Sequence, residues 1–328
     1  MKPTVFITGG AGFIGSNLLL YLVPRYPDTH FVNLDKLTYA ANLDYLKAIE
    51  HAPNYLFQQV DICDLDALRH LFATYQPWGV IHLAAESHVD RSIASPFAFV
   101  ETNVLGTLNL LECARATWRP HQLGRTFYHI STDEVYGALP LDGRPFRESD
   151  CYDPHSPYSA SKASSDHFVK AYGATYGLPV VISHCSNNYG PRQHSEKLIP
   201  LVIDRIVNSQ PIPVYGTGEN IRDWLFVEDH VRAIEAIFQH RTLGEVYNIG
   251  GGYETTNLAL VKRLIALVDA RLGRPEGASL SLIEFVADRL GHDFRYAIDA
   301  TKLRTSIGWA PQVSFEEGLR KTVDWYLR

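Results

Sequence analysis

The sequence predicts an α/β protein built on a doubly wound parallel sheet, with a smaller carboxy-terminal α/β substrate lobe. Short apolar or β-branched runs alternate with longer helical patterns through the first half, which is typical of a parallel sheet covered on both faces. A chain of 328 residues exceeds what one hydrophobic core usually supports. We therefore expect two lobes, residues 1–186 and 187–328, with later segments crossing back to the first.

Each predicted strand is a nearly continuous run of apolar or β-branched residues. These strands are Thr4–Thr8, His30–Asp35, Tyr55–Val60, Gly79–Leu83, Thr126–Ser131, Pro179–Cys185 and Tyr247–Ile249. Each predicted helix has apolar residues at helical spacing or a proline or cap at its start. These helices are Gly12–Val23, Asp64–Tyr75, Pro96–Ala116, Pro157–Tyr176, Glu196–Ser209, Val227–Gln239, Asn257–Leu272 and Phe315–Tyr326. We expect Pro24 to end the first helix, and Ser95 and Ser156 to cap the two that begin with proline.

Composition excludes several function classes. The net charge of −6 gives no basic excess for binding nucleic acid. The four cysteines form no CxxC pair and no metal-ligand spacing, so we expect free thiols and no metal. No stretch reaches the about 20 apolar residues of a membrane span, and no export signal is visible at the start. We therefore expect a cytoplasmic protein that does not bind a membrane.

A glycine-rich turn follows the first predicted strand and opens the first helix. It reads Gly9-Gly10-Ala11-Gly12-Phe13-Ile14-Gly15, and the second strand ends in Asp35. This context predicts a Rossmann dinucleotide site, with pyrophosphate at the helix start and a carboxylate on the ribose diol. That carboxylate favours NAD over NADP, although Lys36 beside it weakens the preference. Asp61-Ile62 either frames the adenine or, equally well, Asp61 is a plain helix cap.

Tyr158 and Lys162 lie four residues apart on a predicted helix, so both occupy one face. A cation beside a phenol lowers the pKa of the phenol, which would make Tyr158 a general base near neutral pH. Chance alone often produces this spacing. The preceding strand, however, ends with Thr132, Asp133 and Glu134, where ligands bind in open α/β sheets. The alternative for Asp133 or Glu134 is a cap on a following turn.

These features resemble the extended short-chain dehydrogenase/reductases, also called the NAD-dependent epimerase/dehydratase family. The resemblance covers essentially the whole chain. Within the family, the sequence most specifically resembles the dTDP-glucose 4,6-dehydratases. The segments that carry it are TGGAGFIGS (8–16), DKLTYAANL (35–43), HLAAESHVDRSI (82–93), STDEVYG (131–137), YSASKASSDH (158–167), SNNYGP (186–191), EKLIPL (196–201), RDWLFVEDH (222–230) and DRLGHDFRYAID (288–299). The stretch ESHVDRS and the adjacent Thr-Asp-Glu are more specific than the glycine turn and the Tyr/Lys pair.

The resemblance implies a hydro-lyase reaction with tightly bound NAD, in three steps. Tyr158, helped by Thr132, takes the proton of the sugar 4-hydroxyl while a hydride passes from carbon 4 to NAD⁺. Glu134 then removes the carbon 5 proton and Asp133 protonates the departing 6-hydroxyl. The hydride finally returns to carbon 6, which gives dTDP-4-keto-6-deoxy-glucose and water for deoxysugar biosynthesis.

The resemblance also implies which residues bind the cofactor and the substrate. The implied NAD contacts, with the turn glycines Gly9, Gly12 and Gly15, are Phe13, Ile14, Asp35, Lys36, Leu37, Thr38, Asp61, Ile62, Leu83, Ala84, Ala85, Thr102, Tyr158, Lys162 and Asn188. The implied substrate contacts are Ser87, Thr132, Asn187, Glu196, Lys197, Arg222, Asn257, Asp288 and His292. Arg222 suits a pyrophosphate because its fork binds bidentately. The alternatives are a surface ion pair of Arg222 with Asp223 or Glu228, and a loop His292 without a ligand.

Two departures from the family pattern concern the substrate lobe. Arg192-Gln193-His194-Ser195 replaces a more aromatic, proline-containing stretch, and Thr217 stands where an aspartate is common. Neither touches the expected chemistry, but both leave local details of substrate binding open. The resemblance further implies a homodimer through a four-helix bundle of the helices at 96–116 and 157–176.

Two other functions compete with this interpretation. One is a different NAD-dependent sugar-nucleotide enzyme, such as a UDP-sugar 4-epimerase or a decarboxylase, and the other is a non-catalytic NAD-binding protein. Epimerases of this kind generally carry small or uncharged residues at the positions of Asp133 and Glu134. Non-catalytic relatives commonly lose the Tyr/Lys pair. Physical reasoning does not separate a thymidine from a uridine substrate, and it does not identify the downstream pathway.

Overall fold

The computed structural model describes residues 2–119 and 123–328. Its strands are β1 (Thr4–Thr8), β2 (His30–Asp35), β3 (Tyr55–Gln59), β4 (Gly79–His82), β5 (Thr126–Thr132), β6 (Val180–Cys185), β7 (Asn187–Tyr189), β8 (Ile212–Tyr215), β9 (Ile221–Phe226), β10 (Val246–Ile249), β11 (Glu254–Thr256) and β12 (Ile283–Val286). Its α-helices are α1 (Phe13–Arg25), α2 (Leu65–Tyr75), α3 (Val89–Ala94), α4 (Pro96–Phe99), α5 (Gly106–Trp118), α6 (Pro157–Tyr176), α7 (Leu198–Val207), α8 (Val227–His240), α9 (Asn257–Arg271), α10 (Thr301–Ile307) and α11 (Phe315–Tyr326).

The main sheet of the described residues has seven parallel strands in the order β10-β6-β5-β4-β1-β2-β3. The order reverses between β1 and β4, and the crevice beyond the carboxyl ends of strands at such a point is where nucleotides bind. The predicted doubly wound α/β fold is therefore confirmed. Strand β10 comes from the second half of the chain and completes the sheet beside β6.

Alternate residues along each strand feed two separate cores. Val5 and Ile7 of β1 pack in the cluster that contains α1 and α8, while Phe6 between them packs with α2 and α5 on the opposite face. Both sets are almost fully buried. This explains why the strands of the first half read as continuous apolar runs rather than as an alternating pattern.

The second lobe has its own core and two small sheets. Strands β11, β9 and β7 form one sheet, and β12 pairs with β8 in another. Apolar residues of α7, α9 and α11 pack against these strands in a third cluster that includes Tyr189, Trp224 and Phe315. None of the small strands was predicted from sequence. Four of the five have only three or four residues, which is too short to show a period, and the six-residue β9 has Arg222 and Asp223 within its apolar run.

Three helix predictions need correction. Helix α1 continues through Pro24 to Arg25, because a proline in the final turn disturbs little and the Tyr26 amide still bonds the Leu22 carbonyl at 3.0 Å. The segment predicted as one helix from Pro96 is interrupted by a π-helical stretch at Val100–Leu105. Ser95 stands at the cap position before Pro96 but makes no side-chain cap hydrogen bond.

Ser156 caps α6 as predicted. Its side chain accepts from the Ser159 amide, and the Ser159 hydroxyl accepts from the Ser156 amide, each at 3.0 Å. This reciprocal capping fixes the start of the helix that carries Tyr158 and Lys162. The helix ends at Gly177, whose φ of 64° is favourable for glycine.

Candidate active site

A cavity of about 310 Å³ lies beyond the carboxyl ends of β1, β4, β5 and β6. The first lobe contributes the glycine turn and the ends of these strands, while the segment 185–197 closes the other side. Parallel strands bring their carboxyl ends to one edge of the sheet, so residues distant in sequence meet here.

The glycine turn is packed too closely against backbone to admit side chains. A Cβ on Gly15 would lie 2.2 Å from the Gly9 carbonyl oxygen, and one on Gly9, whose φ is 71°, would lie 2.8 Å from the Ala84 backbone. The Gly12 amide donates to the Gly9 carbonyl at 3.2 Å, and α1 begins at the next residue. Backbone and helix amides can therefore approach an anion closely.

Asp35 lies at the end of β2 with its carboxylate held by two backbone amides. Oδ2 accepts from the Ala11 amide at 2.9 Å and Oδ1 from the Leu37 amide at 2.8 Å. Burial raises the pKa of Asp35, and these two hydrogen bonds act against the increase. Leu37 adopts a φ of 60°, a conformation that turns its amide back towards Asp35.

Asp61 and Lys36 contact each other beside this carboxylate. Lys36 Nζ lies 3.5 Å from Asp61 Oδ2 and 3.4 Å from the Thr102 hydroxyl. The alternative that Asp61 caps the following helix is wrong, because Asp64 caps α2 by accepting from the Ala67 amide. Asp61 instead accepts from the Cys63 amide at 2.9 Å. The charge of Lys36 is thus partly neutralised by Asp61.

Most of the residues assigned to NAD line this cavity. They are Gly9, Gly12, Phe13, Ile14, Gly15, Asp35, Lys36, Thr38, Ile62, Leu83, Ala84, Ala85, Thr102, Tyr158, Lys162 and Asn188. Leu37 and Asp61 stand just behind it and contact Asp35 and Lys36. The π-helical stretch carries Thr102 to the cavity and directs the Asn103 side chain to the Glu86 backbone and the Ser161 hydroxyl.

Tyr158 and Lys162 are both buried against the cavity. The Lys162 ammonium donates to the Ile130 carbonyl at 2.9 Å. Burial lowers the pKa of Lys162 to about 8, against the opposing effect of Asp166. The expectation of a lowered Tyr158 pKa is wrong for this structure. Burial and the carboxylate of Glu134 raise the Tyr158 pKa well above its ordinary value, and only a hydrogen bond with Thr132 opposes them.

Thr132, Asp133 and Glu134 begin a short 3-10 helix, Asp133–Tyr136, that follows β5 directly. The Thr132 hydroxyl donates to Asp133 Oδ1 at 3.4 Å and accepts from the Glu134 amide at 3.3 Å. Thr132 is therefore the cap of this turn, and the alternative that Asp133 or Glu134 caps it is wrong. Both carboxylates line the cavity with Tyr158.

The two carboxyl groups have different surroundings. Burial, the charge of Glu134 and the charge of Asp223 raise the pKa of Asp133 well above its ordinary value. Burial also raises the pKa of Glu134, but the positive charges of Arg222 and Lys197 oppose the increase. Asp133 Oδ2 is buried without a hydrogen-bond partner among the described residues. Asp133 is thus the better proton donor of the two, and Glu134 the better acceptor.

Five residues assigned to the substrate line the same cavity, namely Ser87, Thr132, Asn187, Glu196 and Lys197. Lys197 Nζ donates to the Ser87 carbonyl at 2.9 Å, which joins the second lobe to the first. The Arg91 guanidinium of α3 lies 3.3 Å from the Glu196 carboxylate and forms a second contact between the two lobes. The edge of the cavity is therefore built from both lobes.

Arg222, Asn257, Asp288 and His292 lie in the second lobe, outside the residues that line the cavity. The buried Arg222 guanidinium stacks on Tyr296 at 4.4 Å and donates to the backbone carbonyl of Asp293 at 2.9 Å. The proposed surface ion pair of Arg222 is therefore wrong. Burial removes the hydration shell of the Arg222 guanidinium. Backbone carbonyl oxygens and the face of Tyr296 take the place of the lost water, so the charge remains available to an anion.

Asp288 and His292 contact each other, while Asn257 stands apart from them. His292 Nδ1 lies 2.7 Å from Asp288 Oδ1, and the His292 side chain is only 8% exposed. Asn257 begins α9, where its amide donates to the Asn220 carbonyl at 3.0 Å. His292 lies outside any helix or strand, and its contact with Asp288 leaves open both the substrate role and the alternative of a loop residue without a ligand.

Several residues around the cavity were not predicted from sequence. Gln193 and His194, inside a segment that departs from the family pattern, line it directly. Arg289 forms an ion pair with Asp90 of α3 at 2.6 Å, linking the two lobes. The ESHVDRS stretch contains Asp90, but only the fold reveals its partner 199 residues away. Thr217 is exposed and lies outside the cavity lining.

Comparison with known proteins places this geometry in a family. The family described as GDP-mannose 4,6 dehydratase matches residues 6–322. The dTDP-glucose 4,6-dehydratase of Neisseria gonorrhoeae is 53% identical over 333 residues, covering 99% of this chain and 96% of that protein.

Solved structures agree with this assignment. The dTDP-glucose 4,6-dehydratase of Streptomyces venezuelae, crystallised with NAD, superposes with a TM-score of 0.90 and 43% identity, covering 99% of this chain and 97% of that one. The UDP-glucose 4-epimerase of Thermotoga maritima is more distant, with a TM-score of 0.86 and 29% identity over 99% of this chain and 98% of that one. The chain belongs to the NAD-dependent epimerase/dehydratase family, and within it to the sugar-nucleotide 4,6-dehydratases.

Proposed function

We propose that this protein is a dTDP-glucose 4,6-dehydratase that converts dTDP-glucose to dTDP-4-keto-6-deoxy-glucose and water with bound NAD. The observation that carries the proposal is the presence of Asp133 and Glu134 beside Tyr158 and Lys162 in one cavity. Oxidation needs only the Tyr/Lys pair, whereas loss of water also needs a proton donor and a proton acceptor. Relatives of the same activity, about half identical over the full chain, support it.

The cavity fits NAD on its own geometry. The turn at Gly9 and Gly15 is packed too closely for side chains, so bare backbone lines the cavity there, which suits a pyrophosphate, and Asp35 offers carboxylate oxygens for a ribose diol. When bound, NAD accepts a hydride from carbon 4 of the sugar and later returns it to carbon 6. Tyr158 and Lys162 line the same cavity and would orient the ribose and the 4-hydroxyl.

Tyr158 takes the proton of the 4-hydroxyl in the first step. Burial opposes the phenolate, so Lys162, a cation on the same helix face, must supply the compensating charge. The Thr132 hydroxyl stands between Tyr158 and Asp133 and orients the reacting hydroxyl. The proton therefore moves within a buried polar site from which bulk water is largely excluded.

Glu134 and Asp133 carry out the loss of water. The new ketone acidifies the carbon 5 proton, which the Glu134 carboxylate removes, and protonated Asp133 gives its proton to the departing 6-hydroxyl. The raised pKa of Asp133 suits the donor role, and Arg222 and Lys197 help to keep Glu134 ionised. After hydride addition at carbon 6, Glu134 returns its proton to carbon 5. The 4-hydroxyl proton held by Tyr158 passes to Asp133, which resets both residues, so the net reaction is removal of one water.

The competing interpretations lack this support. A 4-epimerase needs the glycine turn and the Tyr/Lys pair, but it has no step for two buried carboxyl groups. A non-catalytic NAD-binding protein would have no use for the buried, unpartnered Oδ2 atom of Asp133. Both alternatives leave Asp133 and Glu134 unexplained.

The direct experiment is to incubate the purified protein separately with dTDP-glucose and UDP-glucose and to measure product masses. We expect loss of one water from dTDP-glucose, with UDP-glucose converted far more slowly or not at all. Equal conversion would assign a broader nucleotide specificity. Isomerisation without mass change would identify an epimerase and contradict the proposal.

We also propose a homodimer through α5, α6 and the segment before α5. Apolar side chains lie exposed there, with Phe97 80% and Val100 53% exposed, and Leu105 and Phe168 lie nearby on the same helices. Leu111 and Ala163 of the same helices pack inside the chain. Light scattering should give about twice the 36.9 kDa chain mass, and a monomer at micromolar concentration would contradict the dimer.

The lobes divide the binding between them in this proposal. Residues 1–186 bind NAD, while residues 187–328 mainly bind the sugar nucleotide. No described helix is both long and apolar enough to cross a bilayer. The four cysteines are all free, which supports our proposal of a cytoplasmic location.

A further inference from the structure

Asp166 is a fully buried carboxyl group behind the Tyr158–Lys162 pair, and the mechanism above does not use it. It lies four residues after Lys162 on α6, so Tyr158, Lys162 and Asp166 share one helix face. Three side chains hydrogen-bond its Oδ2 atom: Ser131 Oγ at 3.0 Å, His184 Nε2 at 3.0 Å and Tyr152 OH at 3.1 Å. His129 Nε2 lies 3.2 Å from the other oxygen, Oδ1, which has no hydrogen-bond partner among the described residues. We call these five residues the Asp166 cluster.

The cluster keeps a negative charge inside the protein. Burial alone would raise the pKa of Asp166, but the neighbouring His129 and His184 side chains hold it well below its ordinary value. A buried charge without a counter-charge is costly, and apolar residues would often stabilise such a position as well or better. Two cations lie beside the cluster: the buried Lys162, and the half-buried Lys170, which donates to the Tyr152 hydroxyl at 3.0 Å.

His129 connects the two charges. Its Nε2 atom lies 3.4 Å from Lys162 Nζ and 3.2 Å from Asp166 Oδ1. A ring nitrogen either donates or accepts, so Nε2 serves one of these neighbours at a time. Its Nδ1 atom has no partner among the described residues, and the ring packs against His82 at 5.2 Å. Burial lowers the pKa of His129 to about 4, so a neutral ring lies between the two charges.

We propose that Asp166, acting through His129, is a positioning residue that keeps Lys162 protonated while Tyr158 accepts the 4-hydroxyl proton. It thereby sets the upper pH limit of the oxidation step. The inference rests on the proposed function, because it assigns Lys162 to that step. The titratable groups that face Lys162 are His82 from β4, His129 from β5, Cys185 from β6, and Tyr158 and Asp166 from α6.

The sign of the effect follows from these neighbours. Burial lowers the Lys162 pKa to about 8, and the Asp166 charge acts to raise it. Lys162 loses its charge as the pH rises through this pKa, and the support for the Tyr158 phenolate is lost with it. Removing the Asp166 charge lowers the pKa further, so oxidation should fail at a lower pH.

The test is the pH profile of NADH formation in a single turnover of the holoenzyme with dTDP-glucose. In Asp166→Asn we expect the alkaline limb to move down by about one pH unit or more, as a lost opposite charge does. Asp166→Glu restores the charge and should return the limb towards the parent position. Tyr152→Phe is the matched control, because it removes one donor to Asp166 without removing the charge, and should leave the limb in place.

A second readout does not depend on turnover. In protein labelled with ¹³C-lysine, the resonance lost in Lys162→Arg identifies Lys162, and its titration in Asp166→Asn should shift down by a similar amount. If Asp166→Asn fails to fold, His129→Phe removes the imidazole between Lys162 and Asp166. It should move the alkaline limb of NADH formation and the Lys162 titration in the same direction, but by less.

Two kinds of failure are distinguishable. Folded Asp166→Asn, or His129→Phe in its place, with an unmoved limb and an unmoved Lys162 titration overturns the inference and leaves the cluster purely structural. A parent protein that forms no 4-keto-6-deoxy product from dTDP-glucose contradicts the proposed function instead. In that case the Lys162 titration alone decides whether Asp166 holds the charge.

Discussion

Two neighbouring groups of residues in the cavity solve opposite problems with the same physical means. Helix α6 presents Tyr158 and Lys162, the oxidation group, and burial disfavours the charged form of both. The turn after β5 presents Asp133 and Glu134, the elimination group, where burial and the charge of Glu134 favour a neutral Asp133 beside an ionised Glu134. The oxidation group therefore needs added positive charge, whereas the elimination group uses the cost of burial directly.

The comparison teaches that one buried cavity can support a base and an acid because the local charges differ. Lys162 is linked through His129 to Asp166 behind it, while Arg222 and Lys197 act on Glu134 from the second lobe. The first arrangement lies within a single lobe. The second is complete only when both lobes are folded together.

The largest expected effect comes from a change in the oxidation group, Tyr158 and Lys162. Tyr158→Phe removes the only proton acceptor for the 4-hydroxyl, so both oxidation and water loss should fall by about 10²–10⁴-fold or more. Steady-state turnover and single-turnover NADH absorbance measure this. Tyr176→Phe, an exposed position on the same helix, is the control and should turn over normally. Retention of parent activity in Tyr158→Phe would remove that residue from the mechanism.

A smaller effect concerns the cofactor, which must stay bound through both hydride transfers. Asp35→Asn keeps the size of the side chain but removes the negative charge that repels a 2′-phosphate. We expect the preference for NAD⁺ over NADP⁺ to fall by about tenfold, as loss of about 1.4 kcal/mol of discrimination would produce. Calorimetric titration with each dinucleotide measures the ratio. Equal affinities already in the parent would contradict the role of Asp35.

The smallest expected effect concerns the elimination group, Asp133 and Glu134. Asp223, whose pKa burial raises to about 6, is one of the charges that raise the pKa of Asp133. Asp223→Asn should lower the Asp133 pKa, so that the alkaline limb of water loss moves to lower pH while the limb of oxidation stays. Single-turnover measurements of product and NADH across pH separate the two. Parallel movement of both limbs would indicate a general structural effect.

Sequence predicted the first lobe more completely than the second for a physical reason. Strands β1 and β2 and helix α6 of the first lobe were predicted to the residue, because their apolar periods, caps and flanking residues are local signals. In the second lobe α11 was predicted equally well, but all five small strands were missed. The π-helical stretch at Val100–Leu105 was missed, since its sequence has an ordinary helical pattern and the interruption depends on long-range hydrogen bonds of Asn103.

The site divides in the same way. The glycine turn, Asp35 and the Tyr158–Lys162 spacing are readable from local sequence, and the cavity brings them together. The link between Asp90 and Arg289 required the fold, because nothing in either segment specifies its partner. The position of Asp166 four residues after Lys162 was available from helical spacing, but the histidines that surround it come from β5 and β6.

The account stands on the separation of oxidation from water loss, and one variant tests it most directly. Asp133→Asn combined with Glu134→Gln keeps side-chain size at both positions and removes their acid–base capacity. Nicotinamide absorbance and product are followed together in a single turnover with dTDP-glucose. We predict that NADH appears and persists without 4-keto-6-deoxy product. Product formation at the parent rate would contradict the account, because both carboxyl groups would then be structural.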